Sequence, residues 1–194
     1  MSEQIIAKGK IFELVHATQE DGRVFEIARR APGVRVIIED KNEGKIVLTK
    51  EFRRELDAWD YRLPGGKVFD TLDEYEAFRT SGEDMLEVAG YKAIAESREE
   101  AGLAVENIEF VGTSTLGATV EWDLYVFRAD GKHDDTTMRS LEAGEQVEEN
   151  VWVTYDEAKR MILAGDMQED RIALALLRWL DRKTHPEKLS QGEV

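Results

Sequence analysis

The sequence predicts an α/β protein, an α/β/α sandwich around a mixed sheet, preceded by a small β-rich arm. Strand-like stretches fill the chain up to residue 62, a helical pattern runs over 70–102, and an amphipathic stretch closes the chain after further strands. Strands with helices before and after a mostly antiparallel set are typical of this layered architecture. At 194 residues, we expect one domain with a real core, with or without a small appendage.

The first half of the chain is predicted to be mainly strands. "KIFELVHATQ" and "RVFEIARR" flank Asp21-Gly22, a dipeptide favoured in hairpin turns. "GVRVIIED" and "KIVLTKEF" are rich in β-branched residues and surround a turn at 42–44, and a short strand ends in "LPGGKV". We expect an N-terminal arm over 1–31 and a main domain over 32–185.

The second half alternates helices and strands. The helical pattern over 70–102 is expected in two pieces, broken around "RTSGED", with Gly102 as its stop signal. Strands are predicted at "IEFVGTSTL", "EWDLYVFRA" and "VEENVWVTY", with a polar loop over 130–146 before the last of them. "YDEAKRMILAGD" and "QEDRIALALLRWLDRK" are predicted helices, and the tail at 186–194 is expected to be flexible.

The composition argues against several classes of partner. Forty-one acidic against 26 basic residues give a net charge of −15, spread along the whole chain. Such a surface repels nucleic acid and anionic membranes, so neither is expected as a partner. The chain has no cysteine, its start does not resemble a signal peptide, and its longest apolar stretch, "IALALL", cannot span a bilayer. We expect a soluble, cytoplasmic protein.

The stretch "AESREEAGL" is the strongest candidate for a functional site. It places Glu96, Glu99 and Glu100 on one face near the C-terminus of a helix, where they repel each other and oppose the helix dipole. Hard divalent cations would relieve this repulsion, and Mg²⁺ is often shared between carboxylates and substrate phosphates. Taken alone, the stretch fits a solvated acidic face equally well.

The surroundings of this stretch resemble the box of the Nudix hydrolases, Arg-Glu-apolar-x-Glu-Glu-x-Gly-apolar. Glu96 follows the arginine position, Glu99 and Glu100 are the paired glutamates, and Gly102 and Leu103 close the motif. "IARRAPGVRVIIED", "GKIVLTKEFRRE", "LPGGKV" and "AGDMQEDRIALALLRWL" are similar to the branch that contains the ADP-ribose and nucleoside-diphosphate-sugar pyrophosphatases. The resemblance covers roughly residues 5–183.

The resemblance implies a Mg²⁺-dependent enzyme, with Mn²⁺ as a substitute, that hydrolyses the diphosphate of ADP-ribose or another nucleoside diphosphate sugar. The products would be a nucleoside monophosphate and a sugar phosphate, formed by a metal-activated water. By position, Glu96 and Glu100 are the leading metal ligands, Glu99 is a further ligand or water-orienting group, and the backbone carbonyl of Gly65 is an additional ligand. The resemblance also implies a homodimer, with the arm as the dimerisation element.

Two candidate catalytic bases come from the loop before the last strand, where related pyrophosphatases place such a glutamate. Glu142 is the first candidate and Glu145 the second, although either could be ordinary surface charge.

Four candidate substrate-binding residues follow "TKE". Arg53 and its neighbour Arg54 match the branch's phosphate-binding arginine, and the alternative is an ion pair with a neighbouring glutamate. Trp59 and Tyr61 could stack on a base or simply pack at a strand edge.

The sequence departs from the Nudix pattern in three ways. Ala95 occupies the arginine position, and Lys92 or Arg98 is expected to replace that side chain; Ser97 occupies an apolar position. The insertion 68–84 lengthens the segment before the box and is expected to form a helix at the rim of the site.

The missing arginine keeps a second class of function open, a Nudix-fold module that binds a nucleotide sugar without turnover. Retention of all three glutamates favours the enzyme, because a pure binder would be expected to lose their repulsion.

Overall fold

The computed structural model describes residues 2–136, 139–141 and 147–185, which form two sheets and four helices. The strands are β1 (Ser2–Lys8), β2 (Phe12–Thr18), β3 (Val24–Arg30), β4 (Gly33–Asp40), β5 (Lys45–Arg53), β6 (Ala58–Arg62), β7 (Leu103–Ser114), β8 (Val120–Glu121), β9 (Leu124–Thr136) and β10 (Val147–Thr154). The helices are α1 (Leu72–Ser81), α2 (Met85–Glu99), α3 (Tyr155–Ala164) and α4 (Asp170–Thr184).

The main sheet has six strands in the order β10-β5-β4-β9-β7, with β6 paired to β5. It is mixed, because β4 and β9 run parallel whereas β5 pairs antiparallel with β4, β6 and β10. A second sheet, in the order β1-β2-β3-β8, contains the N-terminal strands. The predicted α/β fold with a mixed sheet and a β-rich arm is confirmed.

Side-chain alternation along β4 divides the core between the two faces of the main sheet. Val34 and Ile38 are fully buried in one cluster with Ala93 of α2. Ile37 points to the opposite face and belongs to a cluster with Leu176 of α4. Helices therefore cover both faces, as in the predicted sandwich, and burial of these apolar side chains is the main contribution to stability.

The break between α1 and α2 has a local cause. Gly82 ends α1 with a φ of +82°, a conformation that glycine adopts at little cost. Asp84 then caps α2, its side chain accepting hydrogen bonds from the N–H groups of Leu86 at 2.7 Å and Glu87 at 3.2 Å. The chain leaves α2 through Gly102, whose φ is +63°. The predicted two-piece helix is therefore observed.

The N-terminal arm contains the predicted hairpin, β2 paired antiparallel with β3 around Asp21-Gly22. The sequence did not reveal β1, which adds a third strand, or β8, which joins β3 from far along the chain. The helix α1, formed by the insertion, contacts this arm: Lys8 donates to Asp73 at 2.7 Å. The role of the arm in dimerisation stays a prediction.

One loop prediction is wrong. The polar loop expected from residue 130 begins later, because β9 continues to Thr136 alongside β7. The first residue of the predicted loop, Asp130, accepts hydrogen bonds from Asn107, Arg128 and Lys41. Burial alone would raise the pKa of Asp130, but these bonds lower it to about 2. Within the described ranges, no helix combines the length and apolarity needed to cross a bilayer.

Candidate active site

A cavity of about 670 Å³ opens beside the turn after β6. Its size lies within the usual range for small-molecule sites. The described residues that line it are Arg30, Gly33, Arg35, Glu51, Phe52, Arg53, Arg54, Glu55, Arg62, Gly65, Gly66, Lys67, Glu100, Leu116, Trp122, Leu124, Glu169 and Arg171. Seven of these are basic and four acidic, so the cavity has a local excess of cations in a protein whose net charge is −15.

The wall of the cavity is built by the Gly65-Gly66 turn. The carbonyls of Pro64 and Gly66 accept hydrogen bonds from the N–H groups of β4 residues Val36 and Val34, at 2.8 and 2.9 Å. Gly65 has a φ of +148°, and a Cβ there would lie 2.2 Å from the carbonyl oxygen of Val34. Only glycine fits this position, and of the three carbonyls in the turn, that of Gly65 stays the candidate metal ligand.

Glu100 lies beneath this turn, at the end of α2. The N–H of Gly65 donates to its carboxylate at 2.5 Å, and the residue is only 7% exposed. Burial and the nearby carboxylate of Glu51 raise the pKa of Glu100 to about 8, against the opposing charge of Arg35. An ionised carboxylate in this position is costly unless a cation compensates it.

Glu96 lies one helical turn earlier and packs against the same glycine turn. A Cβ on Gly66 would lie 2.2 Å from its Oε1, so the glycine makes room for the carboxylate. Burial raises the pKa of Glu96, although Lys92, whose Nζ lies 3.1 Å away, opposes the shift. Glu99 differs in exposure, because its side chain is 49% exposed against 13% for Glu96; of the three glutamates, only Glu100 is among the described residues that line the cavity.

Of the two candidate replacements for the missing arginine of the motif, Lys92 is the one that contacts the glutamates. Its Nζ lies 3.1 Å from Glu96 and 3.8 Å from Glu99, so it bridges two of the three glutamates. Arg98, the other candidate replacement, is exposed at the last turn of α2. Ala95 itself is half-buried.

The residues around the turn fit a hard divalent cation by their chemistry. Glu96 and Glu100 are mostly buried carboxylates with raised pKa values, Glu51 is a third buried carboxylate beside Glu100, and the Gly65 carbonyl completes an oxygen-only donor set. In the described part of the chain, no three Asp, Glu or His side chains already converge on one point. A site with fewer than three converging side chains still suits Mg²⁺, because this ion usually retains several waters and also binds oxygens of the substrate.

The predicted arginines reach the cavity. Arg53 lines it and donates to Glu55 at 2.8 Å and Glu51 at 3.4 Å, so the predicted ion pairs also form. Arg54 lines the cavity from an exposed position.

The predicted aromatic residues, Trp59 and Tyr61, lie outside the cavity. Trp59 is 41% exposed and packs edge-on against Phe52, with ring centroids 5.6 Å apart. Tyr61 packs against the core cluster of α3 and α4. Neither lines the cavity, and their stacking role stays a prediction. Glu142 and Glu145 lie outside the described residues.

The sequence missed four further residues that line the cavity, Arg30, Arg35, Trp122 and Arg171. They come from β3, β4, the β8–β9 connection and α4, so no sequence spacing brings them together. The segment "RRAPGVR" is the one local signal that could have drawn attention to two of them, because its arginines interrupt an otherwise apolar strand region.

Comparison with known proteins identifies the family. Residues 29–177 match the NUDIX domain model, and the chain therefore belongs to the Nudix family. It is 26% identical over 149 residues to the CMP-5'-(N-acetyl-N-hydroxy-3-aminopropyl)phosphonate hydrolase of Streptomyces rubellomurinus (strain ATCC 31215). This match covers 76% of the chain but only 64% of that protein. The fold is similar to the crystal structure of an ADP compounds hydrolase, with a TM-score of 0.62, 18% identity, and coverage of 100% of this chain and 95% of that one.

Proposed function

We propose that the protein is a Mg²⁺-dependent pyrophosphatase, with Mn²⁺ as a substitute, that hydrolyses the diphosphate of ADP-ribose or another nucleoside diphosphate sugar. The observation that carries this proposal is a cavity with buried carboxylates at one wall and guanidinium groups around it. Carboxylates suit the metal, and arginine forks suit the phosphate oxygens. The names of the two relatives, which refer to a CMP phosphonate and to ADP compounds, support a nucleotide-containing substrate.

Each residue has a distinct part in this proposal. Glu96, Glu100 and the Gly65 carbonyl would hold the metal, with Glu51 beside them. The metal, when bound, polarises the phosphorus and activates a water. The Gly65 N–H fixes the carboxylate of Glu100, and Lys92 orients that of Glu96.

The diphosphate itself would be bound by arginines. Arg53 and Arg54 line the cavity at the end of β5, and Arg35 acts electrostatically on both Glu96 and Glu100. These cations would neutralise the negative charge of the diphosphate beside the carboxylates that would hold the metal. Products follow from cleavage of the anhydride: a nucleoside monophosphate and a sugar phosphate.

The proposal has three further parts. Glu99, which is exposed beside Lys92, would orient water, and Glu142 or Glu145 would act as the base. A cytoplasmic homodimer would form through the arm, whose strands expose Ile5, Phe12 and Val24 at 53, 43 and 53%.

A single assay tests the proposal. Purified protein is incubated with a panel of nucleotide sugars and either Mg²⁺ or EDTA, and added alkaline phosphatase releases phosphate from the products but not from intact substrates. Mg²⁺-dependent phosphate release supports the enzyme. Binding without product across the whole panel would instead support the non-catalytic module.

A further inference from the structure

Four side chains form a continuous stack, and three of them, Arg30, Trp122 and Arg171, line the cavity. The guanidinium carbon of Arg30 lies 5.1 Å from the ring centre of Phe12 and 4.2 Å from that of Trp122. The guanidinium carbon of Arg171 lies 4.7 Å from the same Trp122 ring. These cation–π contacts hold two arginines on one aromatic ring, which fixes their positions.

The stack gathers positive charge in a partly buried place. Arg35 faces it from β4, on the sheet face that α4 covers, because Arg35 and the buried Ile37 are two residues apart on one strand. Burial and the charge of Arg35 lower the pKa values of both Arg30 and Arg171. The carboxylate of Glu169 opposes both pKa shifts, and that of Asp123 opposes the shift of Arg171. Glu169 also accepts a 2.6 Å hydrogen bond from Arg62.

The hydrogen-bond donors of this cluster are incompletely used. Among the described residues, buried donor atoms without a partner include Arg30 Nε, Arg35 Nε, Trp122 Nε1 and Arg171 Nη1. The other terminal nitrogen of Arg171 donates to the carbonyls of Ser114 and Trp122, at 2.7 and 2.8 Å, so the side chain is held rigidly. Several buried donors without a partner therefore concentrate at one place, with the carboxylates of Glu169 and Asp123 nearby.

The ligand chemistry that matches this place is anionic and made only of acceptors. A phosphoryl, phosphonyl or carboxylate group offers two or three oxygens to guanidinium forks, and such charge-assisted bonds are the strong ones. Arg35 lines the same cavity and is close enough to act electrostatically both on Glu96 and Glu100 and on Arg30 and Arg171.

We propose that Arg30, Trp122 and Arg171 form a second anion subsite, distinct from the diphosphate site, which binds a phosphoryl, phosphonyl or carboxylate group on the substrate itself. For its substrate class the inference rests on the proposed function: the preferred substrate is a nucleoside diphosphate derivative that carries one additional anionic group. The cavity of about 670 Å³ accommodates such a molecule.

Two matched pairs of compounds test the subsite. UDP-glucose and UDP-glucuronate differ by one carboxylate on the sugar, and ADP-ribose and its 2′-phosphate differ by one phosphate on the nucleoside. Dissociation constants are measured by titration calorimetry in EDTA, which prevents turnover. In at least one pair we expect the more charged member to bind roughly tenfold tighter, the effect of one charge-assisted contact.

Variants identify the residues responsible. Arg171→Gln and Arg30→Gln should each reduce the ratio of the two dissociation constants within the pair to about one. Arg171→Lys should retain part of the difference. Arg160→Gln is the charge-matched control, because Arg160 is 64% exposed on α3 and lies outside the cavity. Thermal melting shows whether Arg30→Gln folds. If it does not, the affinity difference within each pair is measured with Arg171→Gln and Trp122→Phe instead.

The results separate the two proposals. Equal affinities within both pairs, or a preference that survives Arg171→Gln and Trp122→Phe, would overturn the subsite. Tighter binding of the charged member without product from any compound in Mg²⁺ would keep the subsite and remove the pyrophosphatase. Product formation in Mg²⁺ with equal affinities within both pairs would keep the pyrophosphatase and remove the subsite.

Discussion

Gly66→Ala tests whether the glycine turn positions the carboxylate of Glu96. A Cβ at Gly66 would lie 2.2 Å from Oε1 of Glu96, and an ordinary contact needs at least 3.4 Å, so the carboxylate must move by about 1.2 Å. Gly66 does not have a left-handed φ, so the backbone accepts alanine. The substitution should therefore damage the site and spare the fold.

The expected magnitude follows from that displacement. A shift of about 1 Å at a positioned group can lower the rate on the order of 100-fold. We expect kcat/KM to fall by about this factor and the Mg²⁺ concentration for half-maximal rate to rise, while the melting temperature changes by no more than about 4 °C. Mg²⁺ titration of initial rates, with thermal melting in parallel, measures all three quantities.

Gly112→Ala is the matched control. Gly112, in β7, likewise has no positive φ, but a Cβ there meets no atom within 4 Å. Its rates should equal those of the unchanged protein. Normal kinetics for Gly66→Ala would refute the assignment of Glu96 to the metal, and a collapse of the melting temperature would show that the turn serves the fold instead.

Three further predictions concern charged groups. Glu100→Gln should abolish Mg²⁺-dependent turnover yet equal or exceed the unchanged protein in melting temperature in EDTA at pH 8, because a neutral amide avoids burying a charge. Lys92→Gln should lower kcat/KM by about tenfold because Glu96 loses its orienting partner, whereas Arg98→Gln on the same helix should have little effect. Asp130→Asn should flatten the acid dependence of stability: the folded pKa of about 2 lies below the ordinary 3.8, so the carboxylate stabilises the fold above pH 4 and this contribution is lost as the pH falls towards 2.

Each of these predictions has a contrary outcome. Turnover that survives Glu100→Gln would remove that residue from the metal site. Equal losses in the two helix variants would point to net charge rather than to one ion pair. Chemical denaturation from pH 5 to pH 2 that gives parallel curves for Asp130→Asn and the unchanged protein would show that other groups govern acid unfolding.

Features set by neighbouring residues could be predicted from the sequence. The Asp21-Gly22 hairpin and the break between α1 and α2 depend on turn and capping residues within a few positions, and both were found. The two residues of β8 could not be found, because so short a strand has no periodicity and its partner β3 lies about ninety positions earlier. The extent of β9 was missed for a related reason: the polar residue Asp130 has its hydrogen-bond partners at distant positions, Lys41 and Asn107, which a local pattern does not reveal.

The candidate site shows the same division. The box glutamates stand out by type and spacing, but only the rotation of α2 against the sheet shows that Glu96 and Glu100 turn inwards while Glu99 faces solvent. The arginine stack needs β3, the β8–β9 connection and α4 to meet, which no local pattern specifies.

Arg30, the last residue of β3 in the N-terminal arm, lines the cavity. Binding of a ligand to Arg30 would therefore be coupled to the position of the arm. A ligand that binds Arg30 would stabilise the docked position of β3. Because such coupling is reciprocal, stabilising that position would raise the affinity for the ligand by the same factor. Any partner that binds the arm would therefore alter the affinity of the cavity for such a ligand, and removal of the arm would change it as well.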